Sequence, residues 1–524
     1  MSTVALRSPA GTWIMVSAIL ASAMAFIDST ALNVVLPSLQ QSLHATGADL
    51  FWILNAYLLM LAALILIGGS LGDQLGRKRV FMGGIFIFIA GSAACGFSSS
   101  TGLLIICRII QGIGGAFMIP GSLSLISSSI DEKERGKAIG TWSSVTTVVT
   151  IGGPIMGGAL ADAGLWRYIF FINVPLGLTA LLILWRKVPE SRNDEADRGL
   201  DLGGALAIAS GLALLTFGFL RMPAIGWQDW RVLGALAAGV SLLFVFIRVE
   251  RRSKHPMMPL GLFSSRLFSG VNALTFFLYA GLSGGMLFLS LNLVQVQGYS
   301  QLQAGMTFLP LTFLMITLAR YAGGLADKYG PRYLLIAGPA MVGAALLILS
   351  FVGQTRGPSE YWTSFLPGVL VFGLGMAFTV APLTATVMGS AGQQFSGVAS
   401  GINNAMSRIA NVFANAIFGA LAVLLFTGAL GREMDGLGRV GAGQRVDRMG
   451  RVDGSERQAV MAQAADLGNA KVPEAVPAAD RASVSVAYHN AFISAYAGIL
   501  RISAALALSG ALMAFIFVKK GRVD

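Results

Sequence analysis

The sequence predicts an all-helical membrane protein that crosses the bilayer about fourteen times, and three observations predict it. The 524 residues are 55% hydrophobic and only 12% charged, with a mean hydropathy of +0.71; soluble chains carry about 25% charged residues. Apolar stretches of about 20 residues, the length that spans a bilayer, recur from end to end. Glycine-marked motifs of the first part return in the second at nearly constant spacing.

Composition also excludes. Sixty-five glycines among apolar neighbours suit helices that approach closely in lipid. The formal charge of +12 comes from basic residues in short loops, where they set orientation, so nucleic acid is not an expected partner. Cys95 and Cys107 lie inside apolar spans, and His44, His255 and His489 are far apart. No metal site and no disulfide framework is expected. The apolar run after Met1–Gly11 is too long for a signal-peptide core and contains an acid, so it reads as a retained first span.

Spans are expected near 12–36, 50–72, 79–98, 101–128, 137–162, 167–186, 201–221 and 232–249, then near 268–296, 303–324, 332–352, 361–388, 397–428 and 489–518. One set of loops holds Arg77, Lys78 and Arg79, then Lys133, Arg135 and Lys137, Arg186, Lys187, Arg248, Arg251, Arg252, Lys328 and Arg332. The opposite loops hold little beyond Arg167, Arg221, Arg231 and Arg356. The positive-inside rule therefore places both termini in the cytoplasm of a cell inner membrane. Residues 431–487 are the exception, a polar insertion on the periplasmic side. Within it 438–454 reads as disordered, and Ser455 with Gln458 resembles a capping box opening a short helix that ends near Gly468.

The repeat divides the chain. Gly69, Asp73 and Gly76 share one offset with Gly323, Asp327 and Gly330. The run Gly112-Ile-Gly114-Gly-Ala-Phe117 returns as Gly373-Leu-Gly375-Met-Ala-Phe378, and Gly136 and Gly140 match Gly397 and Gly401. Two six-helix halves, 1–200 and 251–524, are therefore expected, with two extra central helices at 201–250.

Four groups of residues carry chemistry. Asp28, in Phe26-Ile-Asp-Ser-Thr, falls near the middle of the first span. A charged carboxylate there costs roughly 2.5–3.5 kcal/mol on insertion scales, so an intramembrane acid reads as functional. Burial disfavours its charged form, which suits a group that takes and releases a proton; the alternative is a residue that bonds Ser29, Thr30 or a neighbouring helix. Arg108, in Cys107-Arg-Ile-Ile-Gln111-Gly112, is a second mid-membrane charge that needs an anionic or polar partner, and a purely structural arginine is its alternative. Gly152, Gly153, Pro154, Gly157 and Gly158 form a thin, proline-interrupted helix face. Gly69, Asp73, Gly76, Arg77, Lys78 and Arg79, weakly repeated around Asp327, place a carboxylate among cations at helix ends, where such bonds can form in one state and release in another.

On these motifs the chain resembles the major facilitator superfamily, in particular its fourteen-helix drug:proton antiporter branch (the EmrB/QacA type). The run Trp166-Arg-Tyr-Ile-Phe-Phe-Ile-Asn173-Val-Pro175 supports the branch. The resemblance covers nearly the whole chain outside 431–487. It implies the major facilitator fold, proton coupling through Asp28 and Arg108, an antiporter motif at Gly152–Gly158, and a cytoplasmic gate at the repeated loop. One departure is Val149, where the antiporter motif has a leading glycine.

Secondary transport follows: proton-coupled efflux of drugs or other small amphipathic compounds by alternating access. The alternatives are a dedicated exporter of one metabolite, antibiotic or siderophore, or a non-transporting sensor. No enzymatic constellation is visible. Asn33, Tyr57, Gln111, Arg408 and Asn411 are candidate cavity residues. Some dication exporters of the branch carry further intramembrane acids in the spans corresponding to 303–324 and 397–428, which this chain lacks. Neutral, monocationic or anionic compounds therefore fit better. No cofactor is expected beyond the proton gradient. The partners are the small-molecule substrate and the lipid bilayer, with a periplasmic adaptor protein left open and a monomer as the working unit.

Overall fold

A computed structural model describes residues 4–191, 201–253, 256, 258–391, 396–440 and 454–519. The first part contains α1 (Pro9–Leu43), α2 (Gly47–Leu75), α3 (Arg77–Phe97), α4 (Thr101–Ser129), α5 (Glu132–Asp162), α6 (Tyr168–Phe171) and α7 (Asn173–Lys187). Two central helices follow, α8 (Leu202–Ile225) and α9 (Trp230–Arg252). The last part contains α10 (Arg266–Gln295), α11 (Gln301–Met306), α12 (Leu309–Tyr329), α13 (Arg332–Ser350), α14 (Tyr361–Ser364), α15 (Leu366–Ser390), α16 (Ser396–Val440), α17 (Gly454–Ala462) and α18 (Arg481–Phe517). Among the described residues the only strand-like pairing is an isolated bridge between Val4 and Ile130.

Local chemistry sets the helix starts. Ser8 accepts the Gly11 N–H ahead of Pro9. Thr46 with Asp49 and Ser300 with Gln303 form capping boxes. Proline enters as helices restart: Pro310 opens α12 and Pro367 opens α15. The spans expected at 303–324 and 361–388 are therefore each built from a short helix followed by a long one.

Among the described residues thirteen candidate spans are long and apolar enough to cross a membrane. The remaining expected crossing is α5, which carries a shorter apolar stretch over Val148–Asp162. Several helices run past their expected ends, since an α-helix does not stop where hydropathy does. α1 gains about one turn at its start and about two at its end, α16 continues to Val440, and α18 starts at Arg481.

The polar insertion is a correction in part. Residues 441–453, most of the stretch expected to be disordered, lie outside the described residues. The rest is folded: α17 contains Ser455, and a 3₁₀ segment, Gln463–Asn469, follows it. Val460, Ala464, Leu467 and Val476 are buried, and Tyr488 donates its hydroxyl to the Val460 carbonyl at 2.9 Å.

Packing repeats between the two halves. A methyl group on Gly112 of α4 would lie 2.6 Å from the Tyr57 carbonyl oxygen of α2, and one on Gly373 of α15 would lie 2.9 Å from the Leu311 Cα of α12. Gly114 presses the same way on Phe88 of α3, and Gly375 on Gly338 of α13. Gly76 and Gly330 end α2 and α12 with φ of +113° and +81°, a region that favours glycine. The sequence repeat is thus a repeat of backbone approaches. α8 and α9 pack on each other, and α8 also packs on α2 and α16.

Helix contact this close allows a stability test. A side chain on Gly84 would meet Met118 N at 2.8 Å, whereas Gly83 has nothing within 4 Å. Gly84→Val should cost about 1–3 kcal/mol by overpacking and lower the melting temperature of the detergent-solubilised chain. Gly83→Ala should leave it unchanged or raise it.

Candidate functional site

Asp28 sits on the face of α1 that packs against α4, and it is 1% exposed. Arg108 of α4 reaches it directly: Nη1 lies 2.5 Å from Asp28 Oδ2. Gln111 is one turn further along α4 and therefore on the same face. Its Nε2 donates to Asp28 Oδ1 at 2.8 Å, while its Oε1 accepts from Arg108 Nη1 at 2.8 Å. Only this orientation of the amide works, because the guanidinium can donate but not accept. The three side chains close a ring in which both carboxylate oxygens are occupied.

Two further groups fix the arginine. Its Nε donates to the Ile53 carbonyl of α2 at 3.3 Å, and its guanidinium lies over the Tyr57 ring, 4.4 Å from the centroid. The Cys95 thiol of α3 approaches Gln111 Oε1 at 3.8 Å. A buried ion pair is tolerable when the lone pairs and protons of both charges are satisfied, and four helices contribute to that here. Gln111 is fully buried in this ring and does not line a cavity, contrary to expectation. Tyr57 is likewise buried beneath Arg108. The Ile53 carbonyl carries no signal in sequence, because any residue type presents one.

The other expected cavity residues are spread more widely. Asn33 donates back to the Ser29 carbonyl at 3.4 Å, and its own carbonyl accepts the Ser290 hydroxyl of α10 at 3.2 Å. Arg408 and Asn411 lie on α16, where Asn403 bonds Asn272 and Thr275 of α10 at 3.1 and 2.7 Å.

The glycine–proline motif of α5 faces two neighbours. Gly153 and Gly157 abut Thr30 and Ala31 of α1, immediately after Asp28, while Gly158 abuts Gln301 and Leu302 of α11. The Pro154 carbonyl touches Gly305 of α11. Gly152 faces open space, so it contributes no packing. The motif is a seam between the first half and the second.

That seam belongs to a closed end. Asp162 accepts the Gln301 and Leu302 N–H groups at 2.8 and 3.0 Å, and Gln301 Nε2 donates to Ser38. Gln40 bonds Gln295, Asn469 and the Asp466 carbonyl. Burial raises the Asp466 carboxyl above its ordinary value.

At the basic end the expected latch falls in part outside the described residues. The side chains of Asp73 and Asp327 lie outside the described residues, and a methyl group on Gly69 would lie 3.9 Å from Pro120 Cβ. The carboxylate on the start of α3 is Glu190, which follows α7. It accepts the Lys78 and Arg79 N–H groups at 2.9 and 3.1 Å and lies 3.6 Å from Arg79 Nε. Arg77 donates to Ser191 through its backbone and side chain, and Lys78 Nζ to the Trp185 carbonyl. Glu190 stands more than a hundred residues beyond this loop, so no local spacing announces it.

A helical bundle of repeated halves around a buried ion pair is the architecture of a membrane transporter. The sequence pattern of the Major Facilitator Superfamily matches residues 18–415, and the chain belongs to that family. It is 31% identical to the tetracenomycin C resistance and export protein of Streptomyces glaucescens, over 96% of this chain and 90% of that one. Identity to the multidrug resistance protein Stp of Mycobacterium tuberculosis is 32%, over 76% and 73% of the two chains. The methylenomycin A resistance protein of Bacillus subtilis is 30% identical, over 80% and 89%. These relatives agree with the expected drug-exporting branch. In fold, the chain is similar to a bacterial homologue of the human lysosomal transporter Spinster, with a TM-score of 0.66, 17% identity and 98% coverage of both chains.

The geometry yields two stability predictions. Arg108→Met leaves Asp28 buried without its counter-charge and should destabilise the chain by about 3–5 kcal/mol. Combining it with Asp28→Asn should recover part of that loss, as read from melting temperatures. Glu190→Ala leaves two helix N–H groups without an acceptor and should cost about 0.5–2 kcal/mol.

Proposed function

We propose that the chain exports small amphipathic compounds from the cytoplasm in exchange for protons, by alternating access of its two halves. The observation that carries this reading is the closed ring of Asp28, Arg108 and Gln111 inside the bundle. A proton arriving on Asp28 must displace one of two donors, because both oxygens already accept hydrogen bonds. Protonation also leaves the Arg108 charge uncompensated in a low-dielectric setting, where that is costly. The ring therefore has two arrangements, a closed one with the carboxylate ionised and an open one with it protonated.

The opening is transmitted along α1. Thr30 and Ala31 pack on Gly153 and Gly157, and Gly158 and Pro154 carry the contact to α11 in the other half. A shift of α1 at Asp28 thus loads the seam at the closed end. Movement of this kind is the discrete repacking that alternating access requires. The loops rich in Arg and Lys support a cytoplasmic position for the basic end and for both termini in an inner membrane. The state described is then closed to the outside. Export as the direction is supported by the glycine–proline seam and by the resistance proteins among the relatives.

Asp28→Asn should abolish proton-gradient-driven dye efflux in everted vesicles while leaving the protein in the membrane at wild-type abundance. Efflux at the wild-type rate by that variant rules out Asp28 as the coupling group.

A further inference from the structure

α16 carries a polar stripe that the Asp28 ring does not use. Asn404, Arg408, Asn411 and Asn415 follow one another at intervals of four, three and four residues, which places them on one helix face. Its ends are engaged. Asn404 donates to the Ser400 carbonyl at 3.2 Å, and Asn415 Oδ1 accepts the Ser283 hydroxyl of α10 at 2.6 Å. Its middle is not. Arg408 Nε and Asn411 Oδ1 are buried without a hydrogen-bond partner.

The surroundings place this gap where the two halves meet. α16 packs against both α2 and α10. Ala405 joins the buried cluster that holds Tyr57, and Val412 joins Leu59, Ala62 and Ala63 of α2. Asn404, one turn nearer the basic end, is exposed. The stripe thus runs from an open end to a partly buried cation.

Charge balance decides what the gap is for. Both oxygens of Asp28 are taken by Arg108 and Gln111. Among the described residues no carboxylate lies within ion-pair distance of Arg408. Asp28 pairs with Arg108, and among the described residues Arg408 is left without a carboxylate partner. An intramembrane cation without a counter-charge is costly to keep, and a guanidinium fork matches planar oxyanions. The free Asn411 Oδ1 beside it can only accept, so it calls for a donor on the same guest.

We propose that Arg408 and Asn411 form an anion subsite of the transport cavity, which takes an organic oxyanion that also bears a hydroxyl group. The oxyanion, a carboxylate or phenolate, pairs with Arg408, and the hydroxyl donates to Asn411 Oδ1. The word substrate rests on the exporter reading above; the subsite itself rests on the unpaired groups.

The test uses the purified full-length chain in lipid nanodiscs and two dyes that share a xanthene ring, anionic fluorescein and cationic rhodamine 123, with binding read by fluorescence anisotropy. The wild type should bind fluorescein the more tightly. Arg408→Gln should lower the ratio of fluorescein to rhodamine affinity by at least about tenfold, and Arg408→Lys should restore part of it. A merely structural arginine would shift both affinities together and leave the ratio constant, which overturns the proposal, as does a wild type without preference for fluorescein. Arg408-dependent fluorescein binding with no proton-driven movement of either dye in proteoliposomes supports the subsite and contradicts the exporter reading. Proton-driven rhodamine 123 transport without such binding does the reverse.

Discussion

A carboxylate and a guanidinium held 2.5 Å apart inside an apolar bundle constrain what the surrounding helices can do. Neither group can leave the other without a large penalty, so α1 and α4 are tied at mid-depth. The tie is kept by neighbours with no freedom of their own: Gln111 is used at both ends of its amide, the Ile53 carbonyl holds Arg108 Nε, and Tyr57 lies under the cation. The glycines of α4 serve the same arrangement. Gly112 lets α2 approach closely enough for Ile53 and Tyr57 to reach Arg108, and Gly114 does the same for α3. Packing and electrostatics are therefore one design, since the ring closes only if four helices meet at backbone contact.

From the ring, the chain of contacts leads to the closed end. Asp28 is followed on α1 by Thr30 and Ala31 at the α5 seam, then by Asn33, Ser38 and Gln40, each bonded to the second half or to the folded insertion. One helix thus touches the ionisable group and the closure in sequence. The insertion contributes to this closure directly, with Leu467 buried and Asn469 on Gln40. Glu190 plays a corresponding part at the basic end, where it joins the end of the first half to the start of α3.

Much of this was legible in the sequence, and the reasons are physical. Asp28 and Arg108 are conspicuous because charge is rare in apolar spans, and their pairing follows from cost alone. The repeat was legible because Gly76, Gly112 and Gly114, with Gly330, Gly373 and Gly375, answer to backbone geometry that few other residues satisfy. Contacts between distant segments were not legible. Nothing near the Arg77–Arg79 cluster points to Glu190, and the ambiguous polarity of 431–487 hid a segment whose few apolar residues are buried. Gln111 was misplaced for a related reason. Its position one turn from Arg108 suits a cavity lining as well as a bridge, and only the approach of α1 decides between them.

The account turns on Asp28 being the group that gains a proton. Infrared difference spectroscopy of the purified chain during acidification reads this directly, through the carbonyl stretch of a protonated carboxylic acid in an apolar setting. The account predicts a band that grows on acidification in the wild type and is missing in Asp28→Asn. An identical band in Asp28→Asn would contradict it.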